Sequence, residues 1–305
     1  MTYDLVVIGN PVYDFISTPG TVSSQRILSG CSTNVCLAAK RLGMKKVMLV
    51  GNIGADFSHE FHAEMARHGV KVINTGTTDR TTGFSIRYDE TGERTLRLIA
   101  DAGKIPVGRV WSECRRARYL LLGPVFREID ITEIVDLIGS SSGAVFLDPQ
   151  GLVRRLGNEG EVEHYCEREQ LKKLVEVVDF IKPNKFEAQV ITGLQDSVES
   201  AKKLVEWGTE IAIVTLAGSG SLVCDQRTCF HVPAFKTRAV DPTGAGEFYA
   251  GAFLAELSRT GDLHSSCLYA SAAASIMIES PRPEIPLTER EVRRRARSIG
   301  KARRA

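Results

Sequence analysis

Short runs of apolar, largely β-branched residues recur through most of the chain and alternate with segments that carry helical spacing. The runs lie at residues 5–8, 46–50, 119–122, 144–147, 180–181 and 211–216. Their apolar character is continuous rather than alternating, which is typical of parallel strands that are covered on both faces. The helical segments lie at residues 33–42, 58–68, 131–139, 167–178, 185–192 and 197–207. The pattern predicts an α/β fold, a three-layer sandwich with a mostly parallel sheet and helices on both faces.

Two segments interrupt this pattern, at residues 14–22 and 81–100, and both are rich in Thr, Ile, Phe and Tyr. The second contains a turn sequence at 89–93 between two alternating runs, as a β-hairpin does. We therefore expect a small β lid, formed by about residues 12–28 and 81–102, over one edge of a single domain that spans residues 1–305. The C-terminal third predicts two long helices, at 247–258 and 263–279.

Composition and charge exclude several classes of protein. The chain has 305 residues, of which 43% are hydrophobic, and this is sufficient for one substantial core. A formal net charge of +2 gives the average surface no strong attraction for nucleic acid. We interpret the arginine-rich residues 290–304 as a solvated, partly frayed terminal helix, so a nucleic-acid partner is not expected. Because no apolar run approaches the roughly 18 residues of a membrane span and the N-terminal sequence lacks a signal peptide, we expect a cytoplasmic protein.

The seven cysteines show no paired zinc-binding spacing, and buried reduced thiols are the simplest interpretation for most of them. Cys224 and Cys229 differ from the others because they flank a four-residue stretch, 225–228, that resembles a hairpin loop. Opposed strand residues can lie within disulfide distance. From the sequence, a disulfide and a pair of free thiols both remain open at this position.

Two glycines precede the first of the long C-terminal helices. Gly244 and Gly246 flank Ala245, and Glu247 follows directly. Glycines let the backbone approach a ligand closely, and N–H groups at the start of a helix attract anions. A carboxylate at Glu247 would stand beside that anion site, where it could accept a proton from an attacking hydroxyl. These residues alone leave a phosphate-binding loop and an ordinary helix-start turn open, while the sequence lacks the G-x-x-x-x-G-K-[ST] pattern of a P-loop kinase.

Residues 241–247 read Asp-Pro-Thr-Gly-Ala-Gly-Glu and resemble the signature D-T-x-G-A-G-D of the ribokinase-like (PfkB) carbohydrate and nucleoside kinases. Pro242 stands where threonine is common in that family, and Glu247 replaces the family's catalytic aspartate. One additional methylene moves a carboxylate by on the order of an ångström, and such a displacement can lower a rate about 10²-fold. The resemblance implies that Glu247 is the catalytic base and that residues 244–246 stabilise the transferred phosphoryl group.

An upstream segment is similar to a second signature of the same family, G-G-x-x-x-N, which precedes its first long helix. Gly30 and Asn34 match it, whereas Ser29 takes the place of the first glycine. The resemblance implies that Gly30 and Asn34 contact the phosphate acceptor, although an Asn at a helix start is also a common cap. Asp14 follows the first strand, where the family carries an aspartate that binds acceptor hydroxyls; a turn residue is the alternative.

The resemblance also implies where the donor and its metal bind. Asn184 and Glu187 match an N-x-x-E element that the family associates with Mg²⁺ and its water shell, and the same spacing is also common in helix capping. The resemblance assigns nucleotide binding to Thr215, Gly218 and Gly220, which lie at the end of a predicted strand. It also assigns nucleotide binding to Asp241, the first residue of the signature at 241–247.

The function implied by the resemblance is transfer of the ATP γ-phosphoryl, with Mg²⁺, to a hydroxyl of a sugar, a polyol or a nucleoside. The family also suggests a homodimer through the β lid. The first alternative keeps the fold without the chemistry: a pseudokinase that binds sugar or nucleotide, because Glu247 replaces aspartate. Further alternatives are a kinase for a phosphosugar or a vitamin precursor, and an interaction protein that uses the basic C-terminal segment.

Overall fold

The computed structural model describes residues 2–18, 21–22, 26–88, 94–279, 286–300 and 303–304. The strands are β1 Leu5–Ile8, β2 Val12–Thr18, β3 Thr21–Val22, β4 Ile27–Ser29, β5 Val47–Gly51, β6 Val70–Asn74, β7 Thr82–Tyr88, β8 Arg94–Ala100, β9 Tyr119–Leu122, β10 Ala144–Leu147, β11 Arg154–Leu156, β12 Val162–His164, β13 Phe180–Ile181, β14 Ile211–Thr215, β15 Ser221–Cys224, β16 Cys229–Val232 and β17 Arg303–Arg304. The helices are α1 Cys31–Arg41, α2 Ser58–Arg67, α3 Trp111–Cys114, α4 Ile131–Ile138, α5 Arg168–Val175, α6 Lys185–Thr192, α7 Ser197–Glu206, α8 Ala245–Thr260, α9 Leu263–Met277 and α10 Glu289–Ser298.

The main sheet has the strand order β17-β16-β15-β14-β13-β10-β9-β1-β5-β6. All neighbours from β14 to β6 are parallel, whereas β15, β16 and β17 continue the sheet in antiparallel pairs. In β1, Leu5 and Val7 face one buried layer, and Val6 and Ile8 face the other, because successive side chains of a strand point to opposite faces. Continuous apolar runs are therefore required, as the sequence indicated.

Helices cover both faces of this sheet. One layer is formed mainly by α1, α2, α8, α9 and α10, and the opposite layer mainly by α4, α5, α6 and α7. The predicted α/β fold is thus confirmed. The first long C-terminal helix begins at Ala245 rather than at Glu247, and the structure adds β6 and the β11–β12 hairpin, which the sequence analysis did not predict.

A second sheet, which we call the lid sheet, has the order β3-β2-β7-β8, with β4 paired to β2. β2 and β7 are parallel, and β7 and β8 form an antiparallel pair. The turn predicted at 89–93 lies outside the described residues. The homodimer through the lid stays a prediction.

The C-terminal helix α10 differs from its predicted solvated state. Val292 is fully buried, and Arg295 is buried as well. The neighbouring arginines form ion pairs with acidic side chains: Arg293 with Glu256 and Glu289, Arg294 with Glu291, and Arg295 with Glu279 and Glu291. The prediction of a solvated, frayed helix was therefore wrong for α10, because an apolar contact and paired charges hold the helix against the body of the protein.

Cys224 and Cys229 are directly opposed in the β15–β16 pair, with Cα atoms 4.1 Å apart, and the structure joins them by a disulfide. Asp225 N donates to Thr228 O in the turn beyond them, so the two cysteines form a non-hydrogen-bonded pair, the position at which opposed Cα atoms lie closest. Cys31, Cys36, Cys114, Cys166 and Cys267 are free thiols. No helix within the described residues is long and apolar enough to cross a membrane.

Candidate active site

A cleft of about 730 Å³ lies between the lid sheet and the edge of the main sheet at which the parallel strands end. Residues that follow β10, β13 and β14 line one side of it, and residues of β2, β7 and β8 line the lid side. Ligands in open α/β sheets bind outside the carboxyl ends of the strands. Most of the predicted site residues line this cleft: Asp14, Gly30, Asn184, Glu187, Thr215, Gly218, Gly220, Gly244, Ala245, Gly246 and Glu247.

The predicted phosphate loop forms the floor of the cleft at the start of α8. Gly244 adopts a left-handed conformation with φ 83°, and this places a tight turn directly before Ala245, the first residue of the helix. Asp241 does not line the cleft; its carboxylate accepts a hydrogen bond of 2.9 Å from the N–H of Thr243 and so shapes the turn. In the first turn of α8, Ala245 N donates to Pro242 O and Glu247 N donates to Gly244 O, so the N–H of Gly246 is the group of this turn left for a ligand in the cleft.

Both carboxylate oxygens of Glu247 are engaged by amide donors. Asn34 Nδ2 donates to Oε2 at 2.5 Å, and Gln150 Nε2 donates to Oε1 at 3.1 Å. Asn34 belongs to α1, but the N-terminal cap of that helix is Gly30, so the side chain of Asn34 is not a helix cap. The carboxylate is consequently fixed at the start of α8, beside the predicted phosphate loop.

Asp14 and Gly30 lie on the lid side of the cleft. Asp14 is buried within β2, opposite Phe84 of β7, and so is not a turn residue. Much of the surrounding wall is apolar, and it is formed by Val12, Phe84, Ile86, Leu96 and Val125. This end of the cleft combines a carboxylate with a broad apolar surface.

A buried ion pair lies next to Gly246 of the predicted phosphate loop. Lys182 Nζ is 2.9 Å from Asp148 Oδ2, and the two side chains are only 4% and 3% exposed. A Cβ atom placed on Gly246 would lie 3.2 Å from Lys182 Nζ, so the ammonium group is adjacent to the loop. Burial opposes the charged ammonium, but the carboxylates of Asp148 and Glu187 outweigh burial and raise the pKa of Lys182. Lys182 therefore supplies a permanent positive charge to the cleft.

Asn184 and Glu187 form a capping box at the start of α6. Asn184 Oδ1 accepts from Glu187 N, and Glu187 Oε2 accepts from Asn184 N, both at 2.8 Å. Burial and the nearby carboxylate of Asp148 raise the pKa of Glu187 to about 7. Within the described part of the chain, no three His, Cys, Asp or Glu side chains form a metal-binding cluster. Since the cap uses the only side-chain oxygen of Asn184 and one of the two carboxylate oxygens of Glu187, the pair fits a Mg²⁺ ion held through water better than a directly coordinated one.

The opposite end of the cleft is lined by residues at and after the end of β14. Thr215 ends that strand, and Gly218 and Gly220 belong to the turn that leads to β15. The adjoining wall has an apolar part, formed by Ala234, Phe235 and Ala239 after β16 and by Ala274 and Ile278 at the C-terminal end of α9, and Lys236 and Thr237 also line it. Arg295 of α10 stacks on the outer side of this wall, with its guanidinium carbon 4.7 Å from the ring centroid of Phe235. A flat apolar group fits this end.

The charged and amide side chains of the cleft that the sequence analysis did not name are Asp148, Gln150, Arg154, Lys182 and Lys236. Asp148 and Lys182 directly follow β10 and β13, the position at which ligand-binding residues are expected in a parallel sheet. That signal was present in the sequence. Gln150 and Arg154 lie on the turn and hairpin beyond β10, for which the sequence offers no comparable signal.

Comparisons with known proteins were made for the sequence and for the fold. The family model described as pfkB family carbohydrate kinase matches residues 3–290. A cytidine kinase of Thermococcus kodakarensis is 28% identical over 269 residues, which cover 84% of this chain and 89% of the relative. A nucleoside kinase of Methanothermobacter thermautotrophicus is 26% identical over 314 residues, which cover 95% of both chains.

Solved structures match the fold over almost the whole chain. A pyrophosphate-dependent kinase in the ribokinase family, in a sulfate complex, superposes with a TM-score of 0.82 at 20% sequence identity and covers 95% of this chain and 99% of its own. At that identity the match establishes the α/β architecture of the ribokinase type and nothing about the ligands of this chain.

Proposed function

The chain belongs to the pfkB family of carbohydrate kinases and is a phosphotransferase with an alcohol group as acceptor; from this premise we propose that it transfers the γ-phosphoryl of ATP to a hydroxyl of a nucleoside. A sugar and a polyol are the other acceptors of the same reaction. The observation that carries the proposal is the placement of the Glu247 carboxylate between two amide donors, at the start of α8 and beside the phosphate loop.

Each group at the floor of the cleft has a role in this reaction. The Glu247 carboxylate orients the acceptor hydroxyl and takes its proton as the bond to phosphorus forms. The N–H of Gly246 at the start of α8 and the Lys182 ammonium stabilise the charge on the phosphoryl oxygens during transfer. Asp148 keeps that ammonium in place. The lid sheet excludes water from the acceptor side and so limits hydrolysis of the donor.

Asn184 and Glu187 would hold Mg²⁺ through water, because the capping box leaves only part of each side chain available. When bound, Mg²⁺ would neutralise charge on the donor phosphates. The wall at Phe235, Ala274 and Ile278 supports ATP rather than a donor without a base, since it offers an adenine a flat apolar contact next to the glycine turn after β14.

A nucleoside fits the acceptor side better than a free sugar does. Asp14 can accept hydrogen bonds from ribose hydroxyls, whereas Phe84, Ile86 and Leu96 present an apolar surface that a sugar alone would not use. A base stacked on Phe84 would cover that surface. The names of two relatives, a cytidine kinase and a nucleoside kinase, support the same choice.

The test is a panel of acceptors with ATP and Mg²⁺, followed by ADP release. The panel contains the common ribonucleosides, ribose, myo-inositol and fructose 6-phosphate. Each acceptor is repeated with pyrophosphate as donor, and the phosphorylated acceptor and orthophosphate are then measured in place of ADP. We expect the highest kcat/KM for a nucleoside with ATP. If ribose is the only acceptor that is phosphorylated, the proposed nucleoside acceptor is wrong. If only pyrophosphate serves as donor, the proposed ATP donor is wrong. Tight binding of ATP and a nucleoside by calorimetry without any transfer would identify a pseudokinase instead.

A further inference from the structure

Gln150 lies between Glu247 and Arg154, the first residue of the β11–β12 hairpin. It begins the single helical turn Gln150–Val153 that connects β10 to β11, and its side chain lines the cleft. Two contacts of its amide are with groups of opposite type: Arg154 Nη2 donates to Oε1 at 3.2 Å, and Nε2 donates to Glu247 Oε1 at 3.1 Å.

These partners fix the orientation of the amide. A guanidinium can only donate hydrogen bonds and an ionised carboxylate can only accept them, so the carbonyl oxygen must face Arg154 and the NH₂ group must face Glu247. Rotation of the amide by half a turn would place donor against donor and acceptor against acceptor. Gln150 therefore has one favourable orientation.

Arg154 is itself held on two further sides. Its Nη1 donates to the carbonyl oxygen of Val125 at 2.8 Å, and its guanidinium carbon lies 5.8 Å from the centroid of the Phe84 ring in the lid sheet. A side chain with these contacts has little freedom to move. Arg154 can thus serve as a fixed anchor for the amide of Gln150.

We propose that Gln150, anchored by Arg154, is a positioning residue that fits the site to a glutamate at position 247. Asn34 holds one carboxylate oxygen from α1, and Gln150 holds the other from the turn after β10. With both oxygens held, the longer side chain of Glu247 is limited to one position. A shorter aspartate would withdraw its carboxylate by on the order of an ångström and lose the 3.1 Å contact with Gln150.

The inference rests on the proposed kinase function, and a double-mutant cycle tests it. Gln150→Met keeps the size of the side chain and removes both polar groups. In the Glu247 protein, we expect Gln150→Met to lower kcat about 10- to 100-fold, with each KM changed less than about threefold, because the base loses its alignment while substrates still bind. In a Glu247→Asp background, the same substitution should lower kcat less than about threefold.

The matched control is Gln170→Met on the exposed face of α5, which should leave kcat and KM unchanged. Equal effects of Gln150→Met in both backgrounds, or a raised acceptor KM with unchanged kcat, would overturn the inference. If the Gln150→Met variant does not fold, Gln150→Glu replaces it, because glutamate keeps the shape of the side chain and the contact with Arg154. Repulsion between the new carboxylate and Glu247 should lower kcat. Full activity of the Gln150→Glu variant would also overturn the inference. A wild-type protein without transfer activity would refute the proposed function instead.

Discussion

Asn34 Nδ2 lies 2.5 Å from Glu247 Oε2, and this contact joins the first turns of two helices that are 213 residues apart in the sequence. Its length depends on how closely α1 and α8 approach. Gly251, one turn beyond Glu247, faces α1, and a Cβ atom there would lie 2.6 Å from the carbonyl oxygen of Val35 and 2.7 Å from Ala38 Cβ. The packing of the two helices thus sets the position of the proposed base.

Replacement of Gly251 by alanine should move α1 and α8 apart. Since the new methyl group has no space, we expect a loss of about 1–3 kcal/mol in the free energy of unfolding, measured with denaturant. We also expect a lower kcat, because Asn34 and Glu247 separate. Gly139→Ala is the matched control: nothing lies within 4 Å of its added Cβ and its φ is −56°. Unchanged stability and kcat in Gly251→Ala would contradict this account.

The contributions of the Lys182–Asp148 pair to the stability of the fold and to kcat can be measured separately. Lys182→Met leaves a buried carboxylate without its partner and should destabilise the fold by about 3–5 kcal/mol. Addition of Asp148→Asn removes that charge and should restore much of the stability. If Lys182 stabilises the transferred phosphoryl, kcat should stay about 10²-fold low in the double variant. A stable double variant with wild-type kcat would make Lys182 a purely structural residue.

The pH dependence of stability should report on Glu187. Its folded-state pKa is raised to about 7, above the ordinary value of 4.5, so folding favours the protonated carboxyl. That contribution is present below the ordinary pKa and is lost as pH rises through the folded pKa. Without Mg²⁺, we expect Glu187→Gln to become more stable relative to wild type by about 2 kcal/mol between pH 5.5 and pH 8. Gln keeps an acceptor for the cap; a pH-independent difference between the two proteins would refute the shift.

The sequence predicted the layers of the fold because strand and helix patterns are local. It also placed Gly244 and Glu247 together at a helix start, since both lie within one short segment, and their role toward phosphate stays a prediction. It could not bring Asp148 and Lys182 together, because their contact depends on β10 and β13 being neighbours with Leu147 opposite Ile181. Strand order is a property of the whole sheet, and no local pattern encodes it.

The same reasoning explains why the Gln150 contact and the β11–β12 hairpin were missed. Gln150 meets Glu247 across 97 residues of sequence. The hairpin strands are short and mostly polar, as in Arg154–Leu156, so they lack the apolar pattern from which strands are predicted. The packing of α10 was missed for a related reason: its arginines suggest a solvated surface until their acidic partners on other elements are known.

The most direct test of the central claim is kcat of Glu247→Gln with ATP and the best acceptor of the panel. Glutamine keeps the size of the side chain and an oxygen for the bond from Asn34, but it cannot take the proton of the attacking hydroxyl. We predict a fall in kcat of at least about 10²-fold, with KM values close to those of the wild type. A variant that retains the wild-type kcat would contradict the assignment of Glu247 as the catalytic base.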